Sequence, residues 1–261
     1  MSTIRSVEKA LSILQTLDGH GDWMGVRELA RRVGLTPPTT HNLLKTLKAL
    51  SYVESNPATK QYRLGLAAIR LGAGVDPLKH MQHFARPYIE ALANEFDESV
   101  VVLTWLKDQA VVGDWIQAEH PLAVTHVAGV VEHPIILASG RVLLAFQDRS
   151  VQLRYAARED LSHLGPKVPL TPEDLLQLLH QVAVKGFALT ENVANSGIIA
   201  LAAPVFDANQ KILMAVGCSA PTTRTTPQQV DAVKVRLLEI TSLMTQKLAG
   251  TSASTAQATA A

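Results

Sequence analysis

The chain has 261 residues, 47% of them hydrophobic, one cysteine and a formal charge of +1. That length suits one large domain, or a small one beside a medium one, and supplies enough apolar side chain for a sizeable core. The lone Cys218 excludes an internal disulfide and no apolar run is long enough to span a bilayer; Glu8 and Lys9 interrupt the N-terminal pattern where a signal peptide would be continuous, so the expected location is cytoplasmic, with no membrane partner.

The charge is unevenly spread. Residues 1–80 hold eleven Lys/Arg against six Asp/Glu, and the remainder hold thirteen against seventeen. A basic head on a mildly acidic body suits a nucleic-acid partner. In chain order, Ser6 is expected to cap a first helix, with Val7, Ala10, Leu11, Leu14 and Leu17 spaced as one buried face. Residues 18–22 read as a turn. A second helix is predicted over 26–33, burying Val26, Leu29, Ala30 and Val33 and ending at Gly34.

A third helix is predicted over 37–50, and it begins with two prolines. In a helix's first turn the N–H groups have no intrahelical partners, so proline loses nothing there. Thr36 caps this helix and the prolines stiffen its start. Thr40, Leu43, Leu44, Leu47 and Leu50 form the inward stripe. Pro38, Thr39, His41, Asn42 and Lys45 are left facing outward. Short strands follow at 52–54 and 61–64, with a turn over 56–60. Two helices joined by a short glycine turn form a helix-turn-helix, and the start of the second helix is the part that reaches base edges. Asn42 can take an adenine edge in bidentate fashion, Thr39 a thymine methyl, and Lys45 guanine or phosphate. The two strands make a wing that brings Lys60 and Arg63 to the phosphates, where Arg5 and Arg31 or Arg32 also fall.

A short apolar helix follows Gly65 and stops at Pro77, so residues 65–76 are the expected linker between a head at 1–64 and a body at 77–248. In the body, Phe84, Tyr88, Ile89, Leu92 and Phe96 are helically spaced. Strands are predicted at 99–106 and 111–117, with Lys107-Asp108-Gln109 between them, and at 122–127. A helix is expected over 139–147. Another starts after Thr171, with Pro172, Glu173 and Asp174 in its first turn. Strands follow at 187–190, 198–206 and 212–219. The last helix opens on a capping box, Thr226 to Gln229, and buries Val230, Val233, Leu237, Ile240 and Met244. Residues 249–261, rich in Ala, Thr and Ser, are expected to be disordered.

Other chemistry is thinner. His80, His83, His120, His126 and His133 have no Cys or acid at ligand spacing, so no metal is expected. Ser139-Gly140 lacks the G-x-S-x-G frame, and Ser196 has no placed His/Asp pair, so no catalysis and no cofactor are expected. Cys218 lies in an apolar strand and reads as a small core residue. Arg141 reads as an exposed helix arginine, with pairing to an anionic effector as the alternative, and Trp105 and Trp115 read as core.

Several stretches together resemble the IclR family of transcriptional regulators. They are SVEKALSIL (6–14), LARRVGL (29–35), YRLG (62–65), ARP (85–87), SGRVLLA (139–145), KGFA (185–188) and GIIALAAPV (197–205). Each is weak, but their order and spacing are specific. The resemblance implies an α/β (α+β) chain: an N-terminal winged helix-turn-helix, a linker helix that dimerises, and a GAF-like effector-binding domain with a central antiparallel sheet. It further implies operator DNA as partner, self-association as dimer or tetramer, and control by a small metabolite, often a carboxylate or an aromatic.

The family's effector pocket lies between a sheet face and the start of the helix near Ser139. There the amides of Ala138, Ser139 and Gly140 offer an anion site. The matching strand positions are Thr190, Ala200, Gly217 and Ser219, with Leu103 and Trp105 as an apolar wall. The chain departs from the family in having a single acid in Thr190-Glu191-Asn192-Val193, Ile199-Ala200 in place of Arg-Cys, and Asn42 where arginine is frequent. These changes imply a smaller or less polar pocket. Two rival readings are a regulator whose C-terminal domain only oligomerises, and a small-molecule-binding or enzymatic protein.

Overall fold

The computed structural model of the chain describes residues 4–20, 22–74, 76–158, 168, 171–193 and 197–257. It divides into two compact units, one over Leu78–Gly250 and one that contains Met1–Pro77. Among the described residues no helix is long and apolar enough to cross a membrane.

The first unit begins with α1 (Arg5–His20). Ser6 lies inside this helix and does not cap it, because the Ile4 carbonyl already accepts from the N–H groups of Val7 and Glu8. The buried line keeps the expected Leu17, with Ala10 and Leu14 packed against the core, and departs from the expected one at Val7 and Leu11. Ile13 and Leu17 are buried, whereas Val7 and Leu11 are each 51% exposed. Helical spacing allowed either line, and packing against the core of Leu29, Leu44 and Val53 selects Ile13. The helix also runs on through Asp18 and His20, where a turn was expected.

Next come β1 (Met24–Gly25) and α2 (Val26–Arg32), and then α3 (Pro37–Ala49). Gly34 closes the turn between the two helices at φ 66°, a left-handed value that favours glycine. Thr36 caps α3 by accepting from the Thr39 N–H, and the prolines occupy the first turn as expected. Thr40, Leu44 and Leu47 are buried; Leu50 is exposed because the helix ends at the residue before it. β2 (Val53–Ser55) and β3 (Gln61–Leu64) form the wing, to which β1 adds a third antiparallel strand through Met24–Tyr62 and Gly25–Gln61 pairs. Two residues are too few for β1 to announce itself by alternation. α4 (Leu66–Ala73) follows.

The second unit is a six-stranded antiparallel sheet between two helical layers. α5 (Pro77–Phe96) uses Pro77 as its first residue. β4 (Ser99–Leu106) and β5 (Gln109–Ile116) meet at Lys107-Asp108, both at positive φ. The hairpin turn therefore has two residues where three were expected, with the twist that matches its strands. β6 (Gly129–Val130) pairs with β5. A single turn of 3-10 helix at Pro134–Ile136 leads into α6 (Ala138–Ala145). α7 (Arg149–Arg158) and α8 (Pro172–Lys185) follow, then β7 (Ala188–Glu191), β8 (Ile198–Phe206), β9 (Ile212–Pro221) and α9 (Pro227–Gln257). The sheet order is β6-β5-β4-β9-β8-β7.

Strand alternation decides which side chains meet which layer. Val101, Leu103, Ala202 and Ala215 pack under α6 and α8, while Val100, Val102, Ala203 and Val216 pack against α5 and α9.

Three expectations in this unit are corrected. Residues 122–127 form no strand; side chains hold that stretch, with Arg224 Nη1 donating to the Leu122 carbonyl at 2.6 Å. α7 had no apolar periodicity to reveal it. It docks through buried Gln152, whose Nε2 donates to the carbonyls of Leu144 and Ala145 at 3.1 and 3.0 Å, satisfying the end of α6. The tail expected to be disordered is helical as far as Gln257, consistent with alanine's strong helix preference, and residues 258–261 lie outside the described ones.

Candidate functional site

In the first unit the outward start of α3 is the feature to explain. Pro38, His41, Asn42 and Lys45 are exposed and Thr39 is partly so, all within the first three turns. The Thr36 cap aligns this end: its Oγ1 accepts from the Thr39 N–H at 3.4 Å and lies 2.9 Å from Thr39 Oγ1. Among the described residues Arg5, Arg31, Lys45 and Lys60 are exposed and have no ion-pair partner, which leaves their charge to the surface. Lys60 stands at φ 56° in the wing turn, where Asn56 Oδ1 accepts from the Ala58 N–H at 2.9 Å.

Two of the expected phosphate contacts are otherwise engaged. Arg32 pairs with Glu28 at 2.7 Å, one helical turn away. Its hydrogen bond and charge hold Glu28 below the usual carboxylate range. Arg63 pairs with Glu54 at 2.9 Å and lies 4.6 Å from the centre of the Trp23 ring. Neither partner is visible from the spacing of the cations alone.

In the second unit a cavity of about 180 Å³ opens between the sheet and the start of α6. It exists because the strands present small side chains there: Ala200 on β8, and Gly217 and Ser219 on β9. α6 comes so close that a Cβ on Gly217 would sit 3.4 Å from the Ser139 Cβ. Ala138, Ser139, Thr190, Ala200, Gly217 and Ser219 are thus brought together around one space. No described side chain caps the N-terminus of α6, so its first amides and dipole face this region.

Three expected members lie elsewhere. Leu103 is fully buried in the core, and Trp105 packs against the same core with its indole Nε1 unpartnered. Gly140 is a glycine for another reason: a Cβ there would fall 1.9 Å from the Pro134 carbonyl oxygen. The close approach at 140 is made by the protein's own backbone. Arg141, expected to be exposed, is buried. Its Nε donates to the Ile135 carbonyl at 2.8 Å, and burial pulls its pKa down to about 10.

One functional candidate was passed over. His126, grouped in the sequence with histidines lacking metal-ligand neighbours, lines the cavity with Val124 from the irregular stretch 117–128. Its Nε2 lies 3.3 Å from Ser219 Oγ. Burial pulls its pKa from the ordinary 6.5 to about 4, so the ring is neutral near pH 7. Only the fold brings residues 126 and 219 together, and no local pattern could have paired them. Cys218 is a buried thiol, pushed up to about 12 chiefly by burial. Ser196 lies outside the described residues.

A winged helix-turn-helix joined to an antiparallel-sheet domain with a small-molecule-sized cavity is the architecture of a one-component DNA-binding regulator. Residues 6–57 match the family model for the IclR helix-turn-helix domain, and residues 78–244 match that for the bacterial transcriptional regulator IclR C-terminal domain. The chain therefore belongs to the IclR family of bacterial transcriptional regulators. Like the family, it is a DNA-binding transcription regulator and not an enzyme.

A glycerol operon regulatory protein of Streptomyces griseus is 27% identical over 235 residues, covering 89% of this chain and 91% of that one. An IclR transcriptional regulator from Silicibacter sp. TM1040 shares the fold with a TM-score of 0.62 at 23% identity, over 94% of this chain and 96% of that one. An IclR homologue from Microbacterium hydrocarbonoxydans, solved in complex with 4-hydroxybenzoate, shares it with a TM-score of 0.58 at 18% identity, over 93% and 98%.

Proposed function

We propose that the chain reads operator DNA with the start of α3 and is controlled by a small metabolite held in the cavity beside α6. In this reading residues 1–64 are the DNA-binding domain, 65–76 the linker and 77–248 the effector domain. Thr39, His41, Asn42 and Lys45 meet base edges, and Pro38 holds their backbone in place. Arg5, Arg31 and Lys60 meet phosphates. Arg32 and Arg63 contribute once DNA competes with Glu28 and Glu54 for them. The observation that carries the DNA assignment is the capped, proline-stiffened and exposed start of α3.

For the effector, the supporting observation is the cavity itself, which favours a ligand-responsive protein over one whose C-terminal domain only assembles. Its size suits a small carboxylate or aromatic, and a homologue of this fold is known with 4-hydroxybenzoate. Ala138, Ser139, Thr190, Ala200, Gly217 and Ser219 are the contacts assigned to it. The ligand acts through differential affinity: it changes operator binding by preferring one arrangement of the heads.

A dimer supplies two such heads. Ile4 just before α1, Val7 and Leu11 on it, and Leu66, Ile69 and Leu71 on α4 are all at least half exposed. That much apolar side chain on two helices of the head suits the seam between two copies. A bacterial regulator of this kind works in the cytoplasm.

A gel shift against the DNA flanking the chain's own gene, with excess random competitor, tests the reading face. Asn42→Ala should cost about 1–3 kcal/mol of specific affinity and relax base choice at one position. Equal operator affinity for Asn42→Ala and the parent would remove α3 as the reading element.

A further inference from the structure

The effector cavity poses an electrostatic problem. Among the described residues its lining contains no Lys, Arg, Asp or Glu. The lining is mostly apolar, with hydroxyls from Ser139, Thr190 and Ser219. An anion entering such a space loses water and meets no fixed countercharge. The start of α6 supplies only the equivalent of about half a charge. Among the described lining residues His126 is the one basic side chain.

Its surroundings orient the ring. The stretch that carries it is tied before His126 by Ala118 N–H donating to Ser99 Oγ at 3.0 Å and Arg224 donating to the Leu122 carbonyl, and after it by the pairing of Gly129 with Val112. Ser219 Oγ donates to the Ser99 carbonyl at 3.4 Å in the arrangement where its hydrogen does not go to His126. The Ser219 oxygen is then left to accept from His126 Nε2–H at 3.3 Å, leaving Nδ1 as the nitrogen that takes a proton.

We propose that His126 determines effector specificity: the ligand is a small monocarboxylate, and the cavity takes it up together with one proton that settles on His126. This rests on the reading of the cavity as the effector site. The proton comes from solvent to Nδ1, and the resulting imidazolium and the carboxylate neutralise each other, with no covalent bond made or broken.

The charges on neighbouring elements do not serve instead. Glu98 and Arg224 pair with each other at 2.7 Å, and Asp97 pairs with His120 at 3.0 Å. Arg141 on α6 donates Nε to the Ile135 carbonyl; its Nη2 is buried and unpartnered, but the residue is not among the described lining of the cavity. Glu132, His133 and Glu191 flank the cavity without lining it. Cys218 does line it, but its thiol is pushed up to about 12 and stays neutral. The free ring resists protonation because it is buried, and an anion beside it reverses that preference.

The test is isothermal titration calorimetry of the full chain at pH 6, 7 and 8, in phosphate and in Tris. The probes are benzoate, 4-hydroxybenzoate and isobutyrate, each beside its neutral amide. The acids should bind with proton uptake that is largest at pH 6 and fades toward pH 8, since an adjacent carboxylate raises a ring titrating at about 4 by about 1–3 pH units; the uptake is read from the difference between buffers. Their Kd should rise by up to about tenfold per pH unit. In His126→Gln the uptake and the pH slope should both disappear. Acids binding without proton uptake would overturn the proposal, and that comparison needs no variant. Uptake that persists in His126→Gln would mean that the ligand's own acid form is bound. Amides binding in place of acids would keep the cavity as a ligand site and remove the proton-coupled carboxylate. No binding by any probe would count against both readings.

Discussion

Replacing Gly140 by alanine sets two effects against each other, and the fold gives the sign. In a helix interior this change ordinarily stabilises by about 1 kcal/mol, through backbone entropy. In α6 the new Cβ would lie 1.9 Å from the Pro134 carbonyl oxygen, 2.5 Å from its carbonyl carbon and 2.7 Å from its Cα. All three are backbone atoms, so no side chain can swing aside. Relief requires α6 and the 134–136 turn to part by roughly 1 Å or more to reach ordinary contact. Ile135 and Leu143 are fully buried beside them, and the Arg141 bond to the Ile135 carbonyl spans the gap. Overpacking of this kind costs about 1–3 kcal/mol or more. A contact of 1.9 Å with backbone puts the cost at the upper end of that range, so the expected net effect is a loss of about 2 kcal/mol or more. Gly250→Ala in α9, where nothing lies within 4 Å, should instead gain about 0.5–1 kcal/mol. Urea unfolding followed by tryptophan fluorescence reads both, since Trp105 and Trp115 lie in the second unit. A Gly140→Ala midpoint equal to or above the parent's would refute the packing argument.

Three further outcomes are expected. Thr36→Ala should cost the first unit about 1 kcal/mol by removing the α3 cap, seen as a lower melting midpoint for residues 1–77 by hydrogen exchange; unchanged protection would show the cap to be dispensable. Lys60→Ala should weaken binding to all DNA sequences alike and make the salt slope shallower by about one, and a loss confined to the operator would place Lys60 at a base. His126 is neutral in the fold down to about pH 4, while the unfolded chain takes its proton near 6.5. Stability is therefore intact above pH 6.5 and is lost between 6.5 and about 4, by up to about 3 kcal/mol. His126→Gln should flatten that region of the urea midpoint against pH, and an identical profile would separate the loss from this ring.

The head was the more legible half. Its signals are local: Thr36 before two prolines, a glycine after Val33, and an Asn-Pro turn between two short β-prone runs. Each acts within a few residues, where capping and turn geometry operate. The phase of α1 was not local. Val7-Leu11 and Ile13-Leu17 are both apolar lines on one helix, and only the position of Leu44 and Val53 makes the second the buried one. The engagement of Arg63 by Glu54 and Trp23 likewise depends on wing pairing between residues nine apart or more.

In the body, strand alternation and the capping residues Thr171 and Thr226 were sufficient to place most elements. The family resemblance located the α6 start and the positions Thr190, Ala200, Gly217 and Ser219. α7 was missed because it is held by one buried amide, Gln152, and not by an apolar face.

The sequence by itself therefore determined most of the elements, their order, and which small residues sit on β8 and β9. Caps, turns and side-chain period act over distances that the chain's own spacing records. The tertiary structure alone decided the membership of the cavity. It turned Gly140 to Pro134, buried Arg141, packed Trp105 against the core, and carried His126 to Ser219 across 93 positions of chain. Contacts of that span are set by how layers pack against one another, and no local period encodes them.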